Sequence, residues 1–237
     1  MPAAGLSRCC GLLYNEDIRT IDCQRRRNMC VRFIMYSQPV ERDDFVQQMM
    51  QSALVKRFQD IGASVLTSGE ARPTNVVPVI APDRNGARTV FPMRWGFRVP
   101  GLSLVVNART ETAAAKPTFR DAWRQHRCAI PARSYIEWEH ITDPGGKTRT
   151  GDRFSIHPAG EPVTWLCGLY RIEDGLPVFT VLTREPSDSV RHIHDRMPLI
   201  LPGSLVDDWV DPGRKAEDLL GHAVTSLIAD RMGGTDN

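Results

Sequence analysis

Short apolar runs of strand length, separated by proline and glycine, recur along most of this chain and constrain its fold more than any other feature. Helical spacing is confined to about residues 44–59 and 112–125, with short helices after Pro202 and Pro212. Many strands with few helices predict an α+β domain on a predominantly antiparallel, bent or barrel-like β-sheet with a few flanking helices. The predicted strands are residues 30–36, 76–81, 89–97, 104–109, 128–139, 153–157, 163–172, 178–184 and 199–201.

The length of 237 residues suits a single domain with a sizeable core. We divide the chain into a leader at residues 1–28, a domain at residues 29–225 and a C-terminal tail at residues 226–237. Residues 142–152, TDPGGKTRTGD, have the composition of a turn-rich surface loop.

The apolar runs are too short for a membrane-spanning helix, which needs about 18 residues. Glu16, Asp17 and Asp22 interrupt the leader, so it lacks the apolar segment of a secretory signal peptide. We therefore expect a cytoplasmic protein that makes no membrane contact, and a monomer.

The charge distribution limits the kinds of partner that the domain can attract. The leader contains five arginines and three acidic residues, and its net charge of +2 equals that of the whole chain. The remainder is therefore balanced and lacks the broad basic field of a non-specific nucleic-acid binder. Any contact with nucleic acid must come from a local cluster of arginines.

The six cysteines do not form a metal-binding pattern, because no C-x-x-C pair occurs. We expect no metal ion and no cofactor. A cytosolic location argues against disulfides. Cys128 and Cys167 lie in apolar strand-like runs, so we expect them to be small buried hydrophobic side chains.

Cys30 lies in the segment Met29-Cys30-Val31-Arg32-Phe33, which is more typical of a protein start than of an interior. If Cys30 is the first residue, it carries an α-amine and a thiol on adjacent carbons. These groups titrate near pH 8 and 8.5 and together can trap an aldehyde, first as an imine and then as a thiazolidine. Three origins of the leader remain open: a mis-assigned start with Met29 as the true one, which we favour, a cleaved propeptide, and a genuine extension.

The segment Asn107-Ala108-Arg109-Thr110-Glu111-Thr112 is predicted at a strand-to-helix corner. Such a corner exposes side chains, and Asn107 and Arg109 offer donors to a carbonyl or a phosphate. In the alternative interpretation, Thr110 caps the helix and Asn107 stabilises the turn.

The segment Tyr135-Ile136-Glu137-Trp138-Glu139 is predicted as part of a strand. Strand alternation places Tyr135, Glu137 and Glu139 on one face, opposite Ile136 and Trp138. Glu137 lies between aromatic residues, and desolvation there would raise its pKa towards general acid–base use. The alternative is a solvated polar face above an apolar one.

Two further segments contain candidate residues. In His192-Ile193-His194-Asp195-Arg196-Met197-Pro198, the proline indicates a loop entering a strand, and His194 is a natural proton carrier at neutral pH. In Arg94-Trp95-Gly96-Phe97, Trp95 is a core residue or a stacking platform for bases. Gly96 indicates a bulge or a close backbone approach.

The order of these motifs resembles the SRAP domain family, the SOS response-associated peptidases, over residues 29–210. The motifs are MC-x-RF, R-P-T-x-x-x-P-V-I, RWG, NARTET, C-x-x-P-x-x-x-Y-x-E-W and H-D-RMPLIL. The resemblance implies a single SRAP-type domain. It also implies a sensor of abasic sites in single-stranded DNA, which shields the lesion in the SOS response through a thiazolidine crosslink.

The resemblance also implies roles for individual residues. Cys30 would supply the amine and the thiol, Asn107 would orient the cysteine and the sugar, and Glu137 would assist ring opening. His194 would act as acid–base. The implied DNA-binding residues are Arg32, Arg109 and Arg196, which would hold phosphates, and Trp95 and Trp138, which would shape the cleft.

The same residues leave other functions open. An activated Cys30 could release its own N-terminus as an autopeptidase, and an imine could lead to strand cleavage as in a lyase. A cysteine peptidase acting in trans and a non-catalytic module that binds single-stranded DNA are the competing hypotheses.

The chain departs from the family pattern at four places, one of which is the C-terminal segment at residues 221–226, which matches the family's ending only faintly. Val31 stands where glycine is usual after the cysteine, and the usual aromatic–Asn pair before the P-T motif is replaced within residues 69–72. The leader is the largest departure, because the thiazolidine chemistry needs a free amine on Cys30.

Overall fold

The computed structural model describes residues 31–36, 38 and 44–233, and within them the strands join into one 12-stranded sheet. The strands are β1 (Phe33–Met35), β2 (Glu70–Ala71), β3 (Val76–Pro82), β4 (Arg88–Trp95), β5 (Asn107–Arg109), β6 (Arg127–Thr142), β7 (Thr148–Pro158), β8 (Thr164–Glu173), β9 (Leu176–Arg184), β10 (Met197–Pro198), β11 (Ile200–Leu201) and β12 (Leu227–Met232). The helices are α1 (Phe45–Met50), α2 (Ala53–Asp60), α3 (Thr110–Ala113), α4 (Arg120–Gln125), α5 (Val206–Val210) and α6 (Ala216–Leu220), with a 3₁₀ turn at Gly203–Leu205.

Five strands close into a mixed barrel in the order β3, β4, β9, β8 and β6. The β4–β9 pair is parallel, whereas the other neighbours are antiparallel. The first half of β6 pairs with β8, and its second half leaves the barrel to pair with β7 and β1. The prediction of an α+β domain with a barrel-like, predominantly antiparallel sheet is confirmed.

Apolar side chains are buried on both faces of the barrel strands, which explains why these strands have continuous apolar runs. In β6, for example, Cys128 and Ile130 belong to one core cluster, and Ala129 between them belongs to the other. The Ala129 cluster includes residues of α1, α4, α5 and α6, so the helices cover that face. Cys128 and Cys167 are buried free cysteines, as predicted.

Several predicted boundaries differ from the structure. The helix predicted at residues 44–59 is divided into α1 and α2 because Ser52 caps the second helix, its Oγ accepting from the Leu54 amide at 3.3 Å. The helix predicted at residues 112–125 is likewise two helices, α3 and α4. No helix in the described part of the chain is long and apolar enough to span a membrane.

The interpretation of residues 142–152 as a surface loop is wrong for most of that segment. β6 extends to Thr142 and β7 begins at Thr148, so only the turn between them is loop. The Asp143 carboxylate accepts from the Lys147 amide at 2.9 Å and fixes this turn. The polar composition of the segment did not distinguish a short turn from a longer loop. β12 lies within the segment assigned to the tail and pairs with β7.

We predict that Gly96→Ala destabilises the domain by about 3 kcal/mol, because it combines backbone strain with overpacking. Gly96 has φ of 113°, and an added Cβ would lie 2.5 Å from the side chain of Leu104, in agreement with the predicted close approach. Gly101→Ala is the matched control, since Gly101 also has positive φ but nothing within 4 Å of an added Cβ. It should cost about 1 kcal/mol. Urea unfolding measures both, and equal costs would contradict the steric argument.

Candidate functional site

The elements that carry the predicted site residues meet over one shared apolar cluster. The ring centroids of Phe33 and Trp95 lie 5.1 Å apart, and Trp95 Nε1 donates to the Val106 carbonyl at 2.9 Å. Tyr135 and Ile193 belong to the same cluster. The segments that carry Arg32, Asn107, Glu137 and His194 therefore each anchor a residue in this cluster.

Trp95 itself belongs to the core. Its exposed fraction is 0%, and its ring stacks on Phe179 with centroids 6.0 Å apart. A fully buried ring offers no surface on which a base can stack. Trp95 therefore packs in the core beneath the site instead of forming a stacking surface. Trp138 is different, because it is half-buried at the far end of β6.

Cys30 lies outside the described residues. The description begins with Val31 and Arg32, and the Ile136 amide donates to the Arg32 carbonyl at 2.9 Å. This bond extends the antiparallel pairing in which Phe33 lies opposite Tyr135. The described chain therefore begins beside Ile136, the residue before Glu137.

Glu137 is buried, with 6% of its surface exposed, and one carboxylate oxygen accepts from the Trp138 amide at 3.2 Å. It lies opposite Phe154 on β7. The burial excludes the alternative interpretation, in which Glu137 belongs to a solvated polar face. A carboxyl group in such a place is shielded from water, which suits a group that exchanges protons with a bound substrate.

Asn107 and Arg109 are the ends of β5, which runs parallel to β9 with Asn107 opposite Val181. Arg109 is exposed and occupies the N-cap position of α3, without a capping side-chain bond. The alternative interpretation, in which Thr110 caps this helix, is therefore wrong by one residue. Arg109 has no side-chain partner among the described residues, so its guanidinium is available to a ligand.

Arg196 is held more tightly than the sequence suggested. Its two terminal nitrogens donate to the two carboxylate oxygens of Glu111 at 2.7 and 2.8 Å, and one of them also donates to the Thr183 carbonyl at 2.8 Å. The bond from Arg196 is the main reason that the pKa of Glu111 lies below its usual value. A phosphate at this arginine would have to share it with Glu111.

His194 has two contacts at the same ring nitrogen. Its Nδ1 lies 2.8 Å from a carboxylate oxygen of Asp195 and 3.1 Å from the backbone nitrogen of Arg196. One nitrogen cannot donate and accept at once, so the two contacts belong to different tautomers. With Nδ1 protonated and donating to Asp195, Nε2 is a base. With Nδ1 accepting from the Arg196 amide, Nε2 carries the proton and is an acid.

The environment of His194 keeps the ring neutral. Burial and then the neighbouring His140 lower its pKa from 6.5 to about 4, while Asp195 opposes the shift. The two imidazole centroids lie 4.2 Å apart, and the His140 amide donates to the Ile193 carbonyl at 2.9 Å, which fixes the loop to β6. Sequence analysis missed His140 because it lies in a long strand beyond the E-W motif.

A groove of about 540 Å³ opens beside this histidine pair. It lies between the β6–β7 hairpin and the loop that leads into β10, and His194 is among its lining residues. Its lining is mainly polar and includes His140, Thr142, Thr148, Glu185, Arg191, His192 and Asp195. Among the described residues, no group of three or more His, Cys, Asp or Glu side chains could hold a metal ion.

The second cluster at the site surrounds Trp138. The guanidinium carbons of Arg32 and Arg153 each lie 5.3 Å from the centroid of the Trp138 ring. Both arginines also form ion pairs with Glu70 on β2. Sequence analysis missed Arg153 because its strand was interpreted as starting there, directly after a presumed loop.

Comparison with known proteins assigns the chain to a family. The sequence matches the SOS response associated peptidase (SRAP) family over residues 29–232. The chain belongs to the SRAP family. The resemblance seen in the sequence motifs is thus confirmed, and the matched range extends from Met29, the residue before Cys30, to the end of β12.

Curated relatives and solved structures agree with the SRAP assignment. The chain is 30% identical over 215 residues to the abasic site processing protein YoqW of Bacillus subtilis, covering 86% of this chain and 90% of YoqW. It is 29% identical over 215 residues to YoaM of the same bacterium, named likewise, with 86% and 88% covered. A solved structure from Bacteroides thetaiotaomicron has a TM-score of 0.63 at 19% identity, over 86% of this chain and 92% of that one, and shows the fold alone.

We predict that His194 of this SRAP domain titrates near pH 4 in an NMR titration of the histidine ring protons, because burial and His140 disfavour the charged form. The unfolded chain takes up this proton near pH 6.5, so acidification from pH 6.5 to 4 favours unfolding, by up to about 3 kcal/mol. His194→Gln should remove this part of the acid sensitivity, whereas the exposed His222→Gln should not. Titration of His194 near its ordinary value would show that the ring is solvated.

Proposed function

We propose that this protein processes abasic sites in single-stranded DNA and that Cys30, as the first residue of the mature chain, forms a thiazolidine crosslink with the lesion. The names of YoqW and YoaM support the abasic-site part of the proposal. The observation that carries the covalent part is the pairing of β1 with β6. Phe33 lies opposite Tyr135, and the Ile136 amide bonds to the Arg32 carbonyl.

This pairing limits where the reactive group can be. Continued by one residue, the register sets Val31 opposite Glu137. The first described residue, Val31, is therefore beside the buried carboxyl group of Glu137. In this proposal, Cys30 reacts beside Glu137, with Asn107 and His194 as further groups of the site.

The proposed reaction has two bond-forming steps. The α-amine of Cys30 adds to the C1′ aldehyde of the ring-opened sugar, and the resulting carbinolamine loses water to give an imine. The thiol sulfur then adds to the imine carbon, the thiol proton passes to the nitrogen, and the five-membered ring closes. The net reaction releases one water and leaves the DNA strand intact.

Each step needs proton transfer, and two groups can supply it. Glu137, shielded from water, assists ring opening of the sugar by moving the proton of the anomeric hydroxyl. His194 is neutral at pH 7, and its two tautomers make Nε2 either a base or an acid. A neutral ring that exchanges between these forms can accept a proton in one step and return it in the next.

Arginines hold the strand in this proposal. Arg109 is exposed and Arg32 is half-buried next to Trp138, so both can face a phosphate. Arg196 would reach one by sharing its donors with Glu111. A charge-balanced domain then binds DNA through a few local contacts, and its affinity should fall as salt is added.

The leader bears on this proposal because an internal cysteine has no free α-amine. Translation from Met29 followed by removal of that methionine would expose Cys30. Cleavage by Cys30 itself, with a neighbouring base, would do so as well, and would be the autopeptidase activity. Cleavage of the strand through the imine would be a minor lyase activity. We place the protein in the cytoplasm, on the nucleoid when bound, as part of the SOS response.

We predict that protein beginning at Cys30 forms a denaturant-resistant adduct with a single-stranded oligonucleotide that contains an abasic site. Intact mass should equal the sum of protein and DNA less one water. Cys30→Ala and N-terminal acetylation should each abolish the adduct, because each removes one of the two nucleophiles. Cys128→Ala is the matched control, since Cys128 is buried, and should leave adduct formation unchanged.

Three results of these experiments would contradict the proposal. Protein beginning at Cys30 that forms no adduct, while remaining folded, would rule out the crosslinking function. An adduct that survives acetylation of the amine would exclude the thiazolidine. Peptide turnover by leader-bearing protein would instead favour the cysteine peptidase.

A further inference from the structure

We propose that Arg153 is a phosphodiester-binding residue of this site in addition to the arginines of the motifs, and that Glu70 holds Arg153 and Arg32 in place around Trp138. The inference rests on the proposed function, because it assumes that a DNA strand passes this end of β6. The residues concerned are outside the family motifs, because Glu70 lies within residues 69–72, which replace the usual aromatic–Asn pair.

The first argument is the convergence of four elements on one point. Trp138 on β6 lies directly opposite Arg153 on β7 in the antiparallel register. Arg32 directly precedes β1, and Glu70 lies on β2, which pairs with β1. The guanidinium groups of Arg32 and Arg153 are each within 5.3 Å of the Trp138 ring centroid.

The second argument is the balance of charge. One carboxylate oxygen of Glu70 pairs with Arg32, and the other pairs with Arg153. Arg72 adds a third contact, with its Nε 3.2 Å from Glu70. Three guanidinium groups thus share one carboxylate, so the cluster keeps an excess of two positive charges. Such an excess beside a half-buried aromatic ring suits a phosphate next to a stacked base.

The third argument is what Glu70 does to the arginines. Burial raises the pKa of Glu70, but the bonds and charges of Arg32 and Arg153 outweigh it and hold the pKa below its usual value. The carboxylate is therefore ionised at neutral pH. It offsets the repulsion between two guanidinium groups at the same ring. Each guanidinium carries five N–H donors, so donors remain for a phosphate.

The test measures binding of an unmodified single-stranded oligonucleotide, so that no adduct is needed. Arg153→Ala should weaken binding about tenfold at low salt, through loss of one charge-assisted phosphate contact. The slope of log affinity against log salt should become shallower by about 0.7. Arg153→Lys should keep the slope and recover part of the affinity, because lysine retains the charge without the planar fork.

Arg231→Ala is the matched control. Arg231 lies on β12, next to the residue that faces Arg153, and pairs with Asp152 at 2.6 Å. Its removal changes the net charge equally but leaves the Trp138 cluster intact, so affinity should stay within about twofold. If Arg153→Ala and Arg231→Ala weaken binding equally, or if the salt slope of Arg153→Ala is unchanged, the inference is overturned.

Glu70→Gln separates two roles of the carboxylate by the sign of its effect. As an anchor, Glu70 is needed to order the arginines, so Glu70→Gln should weaken binding about threefold although the protein becomes more positive. Tighter binding would show that Glu70 competes with the phosphate and would overturn the anchoring role. Adduct formation by the Cys30-starting protein is scored separately, so loss of the proposed function and loss of this inference give different results.

Discussion

The site depends on one strand, β6, which belongs to two parts of the sheet at once. Its first half pairs with β8 and closes the barrel. Its second half leaves the barrel and pairs with β1 and β7. Arg127, at its start, is buried and donates to the carbonyls of Trp209 and Trp123 at 2.7 and 2.9 Å, which fixes the neighbouring helices to the strand. The half of β6 in the barrel thereby supports the half that carries Glu137 and Trp138.

The fold class could be predicted because its signal is local. Apolar runs broken by proline and glycine indicate strands wherever they lie, and most of the predicted strands exist. Closure of the barrel could not be predicted, because it rests on long-range pairings such as Ile80 opposite Ala129. The β6–β7 hairpin was missed for a different reason. Its strands between Glu139 and Asp152 are mainly polar and exposed or half-buried, so neither alternation nor hydrophobicity marked them.

The candidate site was predictable in part. Glu137 and His194 were recognised by residue type, and both lie in buried surroundings. Their surroundings were not predictable, because Arg153 is placed beside Trp138 by cross-strand register and His140 meets His194 through a long-range contact between β6 and a loop. Trp95 shows the opposite case, since the family resemblance implied a role in the DNA cleft, whereas its ring lies in the core, one of the two alternatives that its motif left open. The sequence motifs thus indicate which residue types are present, whereas strand pairing decides which side chains lie together.

Three arginines at this site, unlike Arg109, are tied to carboxylates, and such pairs would allow a charge-balanced domain to bind a polyanion as proposed. Arg196 is held by Glu111, and Arg32 and Arg153 are held by Glu70. Each carboxylate reduces the net charge but fixes a planar guanidinium, so less side-chain entropy is lost when a phosphate binds. The carboxylates thereby weaken the long-range electrostatic attraction for DNA but keep the guanidinium groups in a fixed position. Under the proposed function, affinity would then come from the fit of a strand's phosphates to donors that are already in place.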